Sequence, residues 1–240
     1  MPISIKWFPP SWTQVRAGNK LIFIDPAFLK TYYKDYPSKI EFSSWPDPID
    51  GLPEELDKAD LILVTHHHKD HCKRVTLDRL RHSDTLVIAP RRCAKELGEA
   101  ILIIKPGERV SLEFAELQAV PAYNTEHGRS TRKQHKKGEG VGYLITINGQ
   151  TIYHAGDTDF IPEMHQLGPV DLALLPVGGK FTMDTGEAAQ AAIAINPGIV
   201  IPIHRFAANL QQFADTLDKR SDIKALLMDI GETCLLKDQA

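Results

Sequence analysis

The segment Thr65-His66-His67-His68-Lys69-Asp70-His71 concentrates imidazole nitrogens and a carboxylate in one short stretch. These are the donor types that hold zinc and similar divalent ions. In an extended segment alternate side chains project to the same side, so His66 and His68 point together. Asp70 and His71, beyond a turn, face a second point, and the spacing suggests two metal positions rather than one. A run of histidines is also compatible with plain solvent-facing polarity. The run is internal, however, and carries a carboxylate at a spacing that gathers four ligands, which favours metal binding. His67 and Lys69 are expected to point away, and Cys72 to pack rather than coordinate.

Such donors need a rigid element to aim them. Asp60-Leu61-Ile62-Leu63-Val64 is apolar and β-branched and reads as a buried strand, so the histidines start where a strand ends, the usual place for an active site in an α/β protein. Two more donors share that kind of position. Asp157, in Gly156-Asp157-Thr158-Asp159, follows the strand of a hairpin predicted over 141–147 and 150–153 across Asn148-Gly149, and His204 follows a strand over 199–203. A strand over Ile3–Phe8, stopped by Pro9-Pro10, and a second over 21–24, closed by Asp25-Pro26, make an opening hairpin. A loose helix over 72–81 has Asp70 near its start, where a carboxylate is stabilising without any metal. A strand over 85–89 and a short helix over 91–98 follow. From Ile101 closely spaced strands at 101–104, 110–114 and 117–120 begin a second β-rich half. It continues through a strand over 171–177, a helix over 185–194 capped by Thr185, a helix over 210–217 and a last strand over 225–228. The alternation of strands and helices indicates a layered α/β fold.

With 240 residues, 42% of them apolar, the chain fits one large domain or two small ones. The net charge of -3 gives no reason for bulk attraction to nucleic acid or an anionic membrane. Three cysteines without a paired spacing are expected to be free thiols in a reducing compartment. The N-terminus lacks a signal-peptide pattern and no apolar run reaches the roughly 20 residues of a membrane span, so a cytoplasmic location is expected. Residues 27–58, with Tyr32, Tyr33, Tyr36, Phe42 and Trp45, read as a functional loop or lid whose aromatics either wall a pocket or cover the core. Residues 125–140 read as a mobile basic loop carrying Arg129, Arg132, Lys133, His135, Lys136 and Lys137. It is either simply solvated or an anion-binding lid over a phosphate or carboxylate, with His135 or Lys180 near the reacting group.

His66, His68, Asp70 and His71 resemble the HxHxDH signature of the metallo-β-lactamase superfamily. The resemblance extends along nearly the whole chain. It implies a four-layer αββα sandwich of two αβ halves with mixed sheets, forming a single domain over 1–240. It gives His66 and His68 to a first metal, Asp70, His71 and His204 to a second, and places Asp157 as the bridge. Asp25, ending the second predicted strand, is similar to an aspartate that orients a histidine ligand, although an Asp-Pro turn alone would also account for it. Pro121-Ala122-Tyr123-Asn124, Gly140-Val141-Gly142-Tyr143, the 153–159 segment and the 179–184 segment resemble a prokaryotic branch similar to the ascorbate-6-phosphate lactonase group. The superfamily's third histidine of the first metal is missing at Tyr123-Asn124. Asn124, His127, His135 or water is left to complete that site.

The activity this implies is hydrolysis of a small substrate, an anionic lactone or a phosphoester, by a hydroxide activated at a dinuclear centre, with Asp70 holding the nucleophile and taking its proton. Zinc is expected first, with manganese or iron also suited to the nitrogen and oxygen donors. Tyr123, Asn124, His135 and Lys180 are the expected substrate contacts. No membrane partner is expected. Nucleic-acid processing, a redox diiron role and a non-catalytic metal-binding role are the competing readings. The second fits poorly, since such members usually have a carboxylate where His68 stands.

Overall fold

The computed structural model describes residues 2–27 and 57–236. The lid expected over 27–58, with Tyr32, Tyr33, Tyr36, Phe42 and Trp45, therefore lies almost wholly outside the described residues. Two compact units divide the chain, residues 1–103 with 228–240 and residues 104–227. The boundary falls beside Ile101, where the sequence pattern changes.

The first unit is a seven-stranded sheet in the order β14-β1-β2-β3-β4-β5-β6. Its strands are β1 (Ile3–Phe8), β2 (Trp12–Ala17), β3 (Lys20–Ile24), β4 (Ala59–Leu63), β5 (Arg81–Ala89), β6 (Leu102–Ile103) and, returning from the far end of the sequence, β14 (Thr233–Leu236). Strands β14, β1, β2 and β3 pair antiparallel, and β3 to β6 parallel. The opening is thus two hairpins rather than one. Strand β2 escapes prediction because only Trp12 and Val15 of it carry a clear apolar signal, and β14 because four residues leave little periodicity to read. Helices α1 (Arg74–Leu80) and α2 (Ala94–Leu97) belong to this unit. Leu77 and Leu80 of α1 and Leu97 of α2 share one buried cluster with Phe8, Trp12, Phe23, Ile62 and Val87. Within it the Trp12 ring stands 5.2 Å from Phe8 and 5.6 Å from Phe23.

The second unit repeats the plan. Its sheet has the order β13-β12-β11-β10-β9-β8-β7, from β7 (Arg109–Ser111), β8 (Glu116–Ala122), β9 (Gly140–Ile147), β10 (Gln150–His154), β11 (Leu172–Pro176), β12 (Ile199–Ile203) and β13 (Lys224–Ala225). Strands β7 to β10 pair antiparallel and β10 to β13 parallel. Helices α3 (Thr185–Ile195) and α4 (Leu210–Asp218) cover one face. The small side chains of Ala188, Ala189, Ala191 and Ala192 let α3 lie close to Ala173 and Leu175 of β11 in one cluster with Phe213 and Leu217 of α4. The cap of α3 is Asp184 rather than Thr185: its carboxylate accepts from Glu187 N, leaving Thr185 as the first helical residue.

In both sheets the residues on the two faces of the central strands are buried, as Ile22 and Phe23 or Leu174 and Leu175 illustrate. That is the signature of strands covered on both sides, and it explains their near-continuous apolar sequences. Among the described residues no helix is long and apolar enough to cross a membrane.

Candidate metal centre

The first unit's donors hang from the carboxyl ends of β3 and β4. Asp25 follows β3 with φ 50°, a left-handed conformation that aspartate adopts more readily than most residues, and its N–H is fixed by Leu63 O at 2.9 Å. Fully buried, its carboxylate is an organiser. Oδ1 accepts from Thr65 N and Oδ2 from Thr65 Oγ1, both at 2.7 Å, and Oδ2 lies 2.7 Å from His71 Nδ1.

This network assigns tautomers. A carboxylate only accepts, so His71 Nδ1 carries the proton and Nε2 offers a lone pair. Thr65 Oγ1 spends its proton on Asp25, so His66 Nδ1, 3.0 Å away, donates to it, and His66 Nε2 too is left as a lone pair. That nitrogen lies 3.0 Å from His68 Nδ1, while Asp70 Oδ2 stands 3.8 Å from His71 Nε2. Lys69 is exposed and His67 half-buried. Asp70 is not the cap of α1, whose cap residue is Lys73 with no side-chain bond. Behind the cluster Cys72 packs against Cys93. The hydrogen bond between these thiols, and burial, push the Cys93 thiol up, so both are packing residues.

The second unit brings its donors from three separate places. Asp157 stands just beyond β10, where His154 Nδ1 accepts from Gly156 N at 3.3 Å and shapes the turn. His204 follows β12 and is fully buried with φ 50°. His135 comes from the basic loop. One oxygen, Asp157 Oδ2, lies 3.3 Å from His135 Nε2 and 3.3 Å from His204 Nε2.

His135, expected at the substrate, thus belongs with the donors. Asn124 is spent on the loop itself: Oδ1 accepts from Gln134 N and His135 N at 2.9 Å, and Nδ2 donates to Phe181 O at 2.8 Å and Asp159 Oδ1 at 3.2 Å. It has no capacity left for a metal, and its role is to present His135. His127, the other candidate, is exposed. Tyr123 gives its hydroxyl to Glu163 at 3.0 Å, and Lys180 is exposed on the turn after β11.

The expected mobile loop is folded. Arg132 N donates to Lys180 O at 2.7 Å, Thr131 N to Gly179 O at 3.2 Å and Arg129 N to Glu187 Oε2 at 3.0 Å. Two of its three lysines are paired with carboxylates: Lys133 with Asp159 at 3.0 Å and Lys137 with Glu163 at 2.8 Å. Asp159 and Glu187, both buried, organise this loop, and the sequence reading gave neither a role. The signal for Glu187 was present in Asp184-Thr185-Gly186-Glu187, a capping-box spacing. Burial pushes the Glu187 carboxyl up, with Asp159 and Asp184 adding to it, against the opposing bonds from Arg129 N and Phe160 N.

A cation fits these donors. His135 Nδ1 faces only acceptors, Asn124 Oδ1 at 3.1 Å and Phe181 O at 3.2 Å, so it carries the proton and Nε2 turns a lone pair toward the Asp157 oxygen. Two acceptors 3.3 Å apart repel unless a positive charge lies between them. Donors about 2.1 Å from one tetrahedral ion are themselves about 3.4 Å apart, close to the spacings seen within each unit. The side chains that make up metal-capable groups are His66, His68, Asp70 and His71 in the first unit and His135, Asp157 and His204 in the second. All are nitrogen or oxygen donors.

A family model described as a β-lactamase superfamily domain matches residues 4–204. A UPF0173 metal-dependent hydrolase of Thermoplasma acidophilum is 38% identical over 193 residues, 78% of this chain and 76% of its own length. A solved structure of a candidate metal-dependent hydrolase from Parabacteroides distasonis matches with a TM-score of 0.79 at 32% identity, covering 95% of this chain and 93% of that one. A metallo hydrolase from the archaeon Ignicoccus hospitalis, 24% identical over the full length of both chains with a TM-score of 0.73, shares the fold. The architecture is an α/β sandwich of mixed sheets with flanking helices, and with the donors above it supports a metal-dependent hydrolase activity. None of these relatives is described as a lactonase, so the narrower resemblance to the ascorbate-6-phosphate lactonase group gains no support from them.

Proposed function

This chain belongs to the β-lactamase superfamily domain family, and from that membership we propose that it is a hydrolase working on a small anionic substrate, a lactone or phosphoester, with two divalent cations. Residues 1–240 act as one catalytic domain, since each unit carries only part of the donor set. The nitrogen and oxygen donors of His66, His68, Asp70 and His71 in the first unit and of His135, Asp157 and His204 in the second would hold the cations. The observation that carries the reading is the Asp157 oxygen placed 3.3 Å from two imidazole nitrogens on different elements. Zinc is the first choice, and manganese or iron suit the same thiolate-free set.

Bound cations of this kind lower the pKa of water and stabilise negative charge developing on a substrate oxygen. The protein's own contribution is orientation. Asp25, directly for His71 and through Thr65 for His66, keeps the Nε2 lone pairs exposed, and Asn124 does the same for His135. Asp70, with a side chain 16% exposed, is the carboxylate with access to solvent, and it takes the proton of the attacking water. Pairing of Lys133 and Lys137 with carboxylates argues against the basic loop as a grip on a nucleic-acid backbone.

Elemental analysis with anomalous scattering on the purified protein, followed by assays of bis-p-nitrophenyl phosphate and a lactone panel with zinc and with manganese, tests the proposal. Two cations per chain, and turnover that a chelator abolishes, are expected. A metal-free protein that stays inactive after incubation with zinc, manganese or iron would remove the reading.

A further inference from the structure

The second unit contains a cleft of about 290 Å³ between the turn after β11, the start of α3 and the segment following His204. Its size is near the lower end of small-molecule pockets, which start at roughly 300 Å³. Val177, Phe206, Ala207 and Ala208 give it an apolar wall. Among the residues lining it Lys180 is the one cation and Asp184 the one carboxylate. The charge of Asp184 is already engaged, for Oδ1 accepts from Glu187 N at 2.7 Å and Oδ2 lies 3.6 Å from the Arg129 guanidinium. Lys180 Nζ rests 5.3 Å from the centre of the Phe181 ring, and that ring stands 6.4 Å from Phe206.

The wall is built rather than incidental. A Cβ on Gly178 would come within 2.4 Å of the Phe206 ring and 2.5 Å of His204 O, so only glycine lets these two close on the turn. His204 and Phe206 both hold left-handed backbone, φ 50° and 45°, a conformation bulky residues adopt at a cost. Their rings meet edge to face at 4.9 Å. The cleft's apolar wall is therefore positioned by the same strained turn that aims His204, a proposed metal ligand whose ring packs against Phe206.

We propose that this cleft is the substrate pocket and takes a small organic anion, an apolar body bearing one carboxylate or phosphoryl group, with Phe206 against the body and Lys180 on the anion. This rests on the hydrolase reading above. It moves anion recognition from the basic loop, whose Lys133 and Lys137 are paired, to the turn after β11.

Binding of 4-phenylbutyrate and of 4-phenylbutanol to the isotope-labelled, metal-loaded protein, followed by backbone NMR shifts, tests it without requiring turnover. Both probes should perturb Gly178, Gly179, Ala207 and Ala208, and the acid should bind about tenfold more tightly, the worth of one charge-assisted contact partly open to water. Lys180→Met should erase that preference while leaving the alcohol's Kd within about twofold, and Ala208→Leu should weaken both by filling the wall. Equal affinities, an acid preference that survives Lys180→Met (placing the carboxylate on the cations instead), or no perturbation at the cleft would overturn the proposal. Cleft binding in a protein that hydrolyses nothing would sink the hydrolase reading and leave the pocket standing.

Discussion

The two sheets share strand order and strand directions, yet the aspartates at corresponding ends do opposite work. Asp25 N bonds Leu63 O on the neighbouring strand, and Ala155 N bonds Leu174 O in the same relation, so Asp157 stands two residues beyond the place Asp25 holds. Asp25 is turned back into its own unit, both oxygens taken by Thr65 and His71. Asp157 faces two imidazole nitrogens. A two-residue extension of the turn, held by His154 and Gly156, separates a carboxylate that orients its neighbours from one that faces imidazole nitrogens.

Replacing each aspartate by asparagine makes that difference measurable. On the proposed reading, Asp157→Asn removes a carboxylate charge that would help hold the cations and should lower turnover on the order of 10³-fold, the several kcal/mol of charge stabilisation a metal supplies. Metal content measured on the same sample should fall with it. Asp25→Asn keeps one acceptor and a side chain that tolerates left-handed backbone. It should weaken metal affinity roughly 10- to 100-fold in chelator competition, as loss of a ligand's supporting partner does. Equal losses from the two variants would erase the distinction.

The same contrast explains what could be read from the sequence. In the first unit the donors are contiguous, so period-two geometry and a buried strand in front sufficed to pick out His66, His68, Asp70 and His71 as candidates. Asp157 and His204 were legible as strand-end residues, one turn away from an apolar run. His135 was legible only as one of several candidates for the first metal, beside Asn124 and His127, because its orientation depends on Asn124, which brackets the loop from 10 and 11 residues away, and on Phe181 O, 46 away. Lys133 and Lys137 read as available charge because their carboxylate partners are 26 residues distant. Chain order carries local geometry well, and it carries long-range pairing of polar side chains poorly.

If the second unit's donors depend on a folded loop, disturbing that loop away from any donor should be felt. A Cβ at Gly128 would lie 2.1 Å from Asp159 Oδ2 and 2.6 Å from Asp159 Cβ, a collision with a buried side chain that also holds Thr125 N and Lys133. Gly128→Ala should therefore cost about 1–3 kcal/mol of stability in denaturant unfolding, the usual range for overpacking. It should also release metal from the purified protein. A variant that unfolds at the wild-type midpoint would show that the loop is not what holds His135.

The smallest effect is expected at the loop's outer tether, where Lys137 bonds Glu163 at 2.8 Å and Tyr123 shares the carboxylate. Burial pushes the Glu163 carboxyl up, but hydrogen bonds from Lys137, from its own backbone and from Tyr123 outweigh it and leave it below its ordinary value of 4.5. The bond to Glu163 likewise holds Lys137 above its ordinary 10.5. A carboxyl depressed in the folded state contributes stability above its unfolded pKa and loses it as pH falls through the folded value; a raised ammonium contributes below its unfolded pKa and loses it as pH rises through the folded one. The tether thus acts between pH 4.5 and 10.5 and fades on either side. Glu163→Gln should lower Tm slightly at pH 7, and the gap to wild type should close below pH 4.5, because protonation then makes the two side chains equivalent. Metal content at pH 7 should be the same in Glu163→Gln and wild type, since neither Glu163 nor Lys137 belongs to the donor groups. A gap that persists at low pH would mean that Glu163 acts through packing, and the outer part of the loop would then owe its place to shape rather than charge.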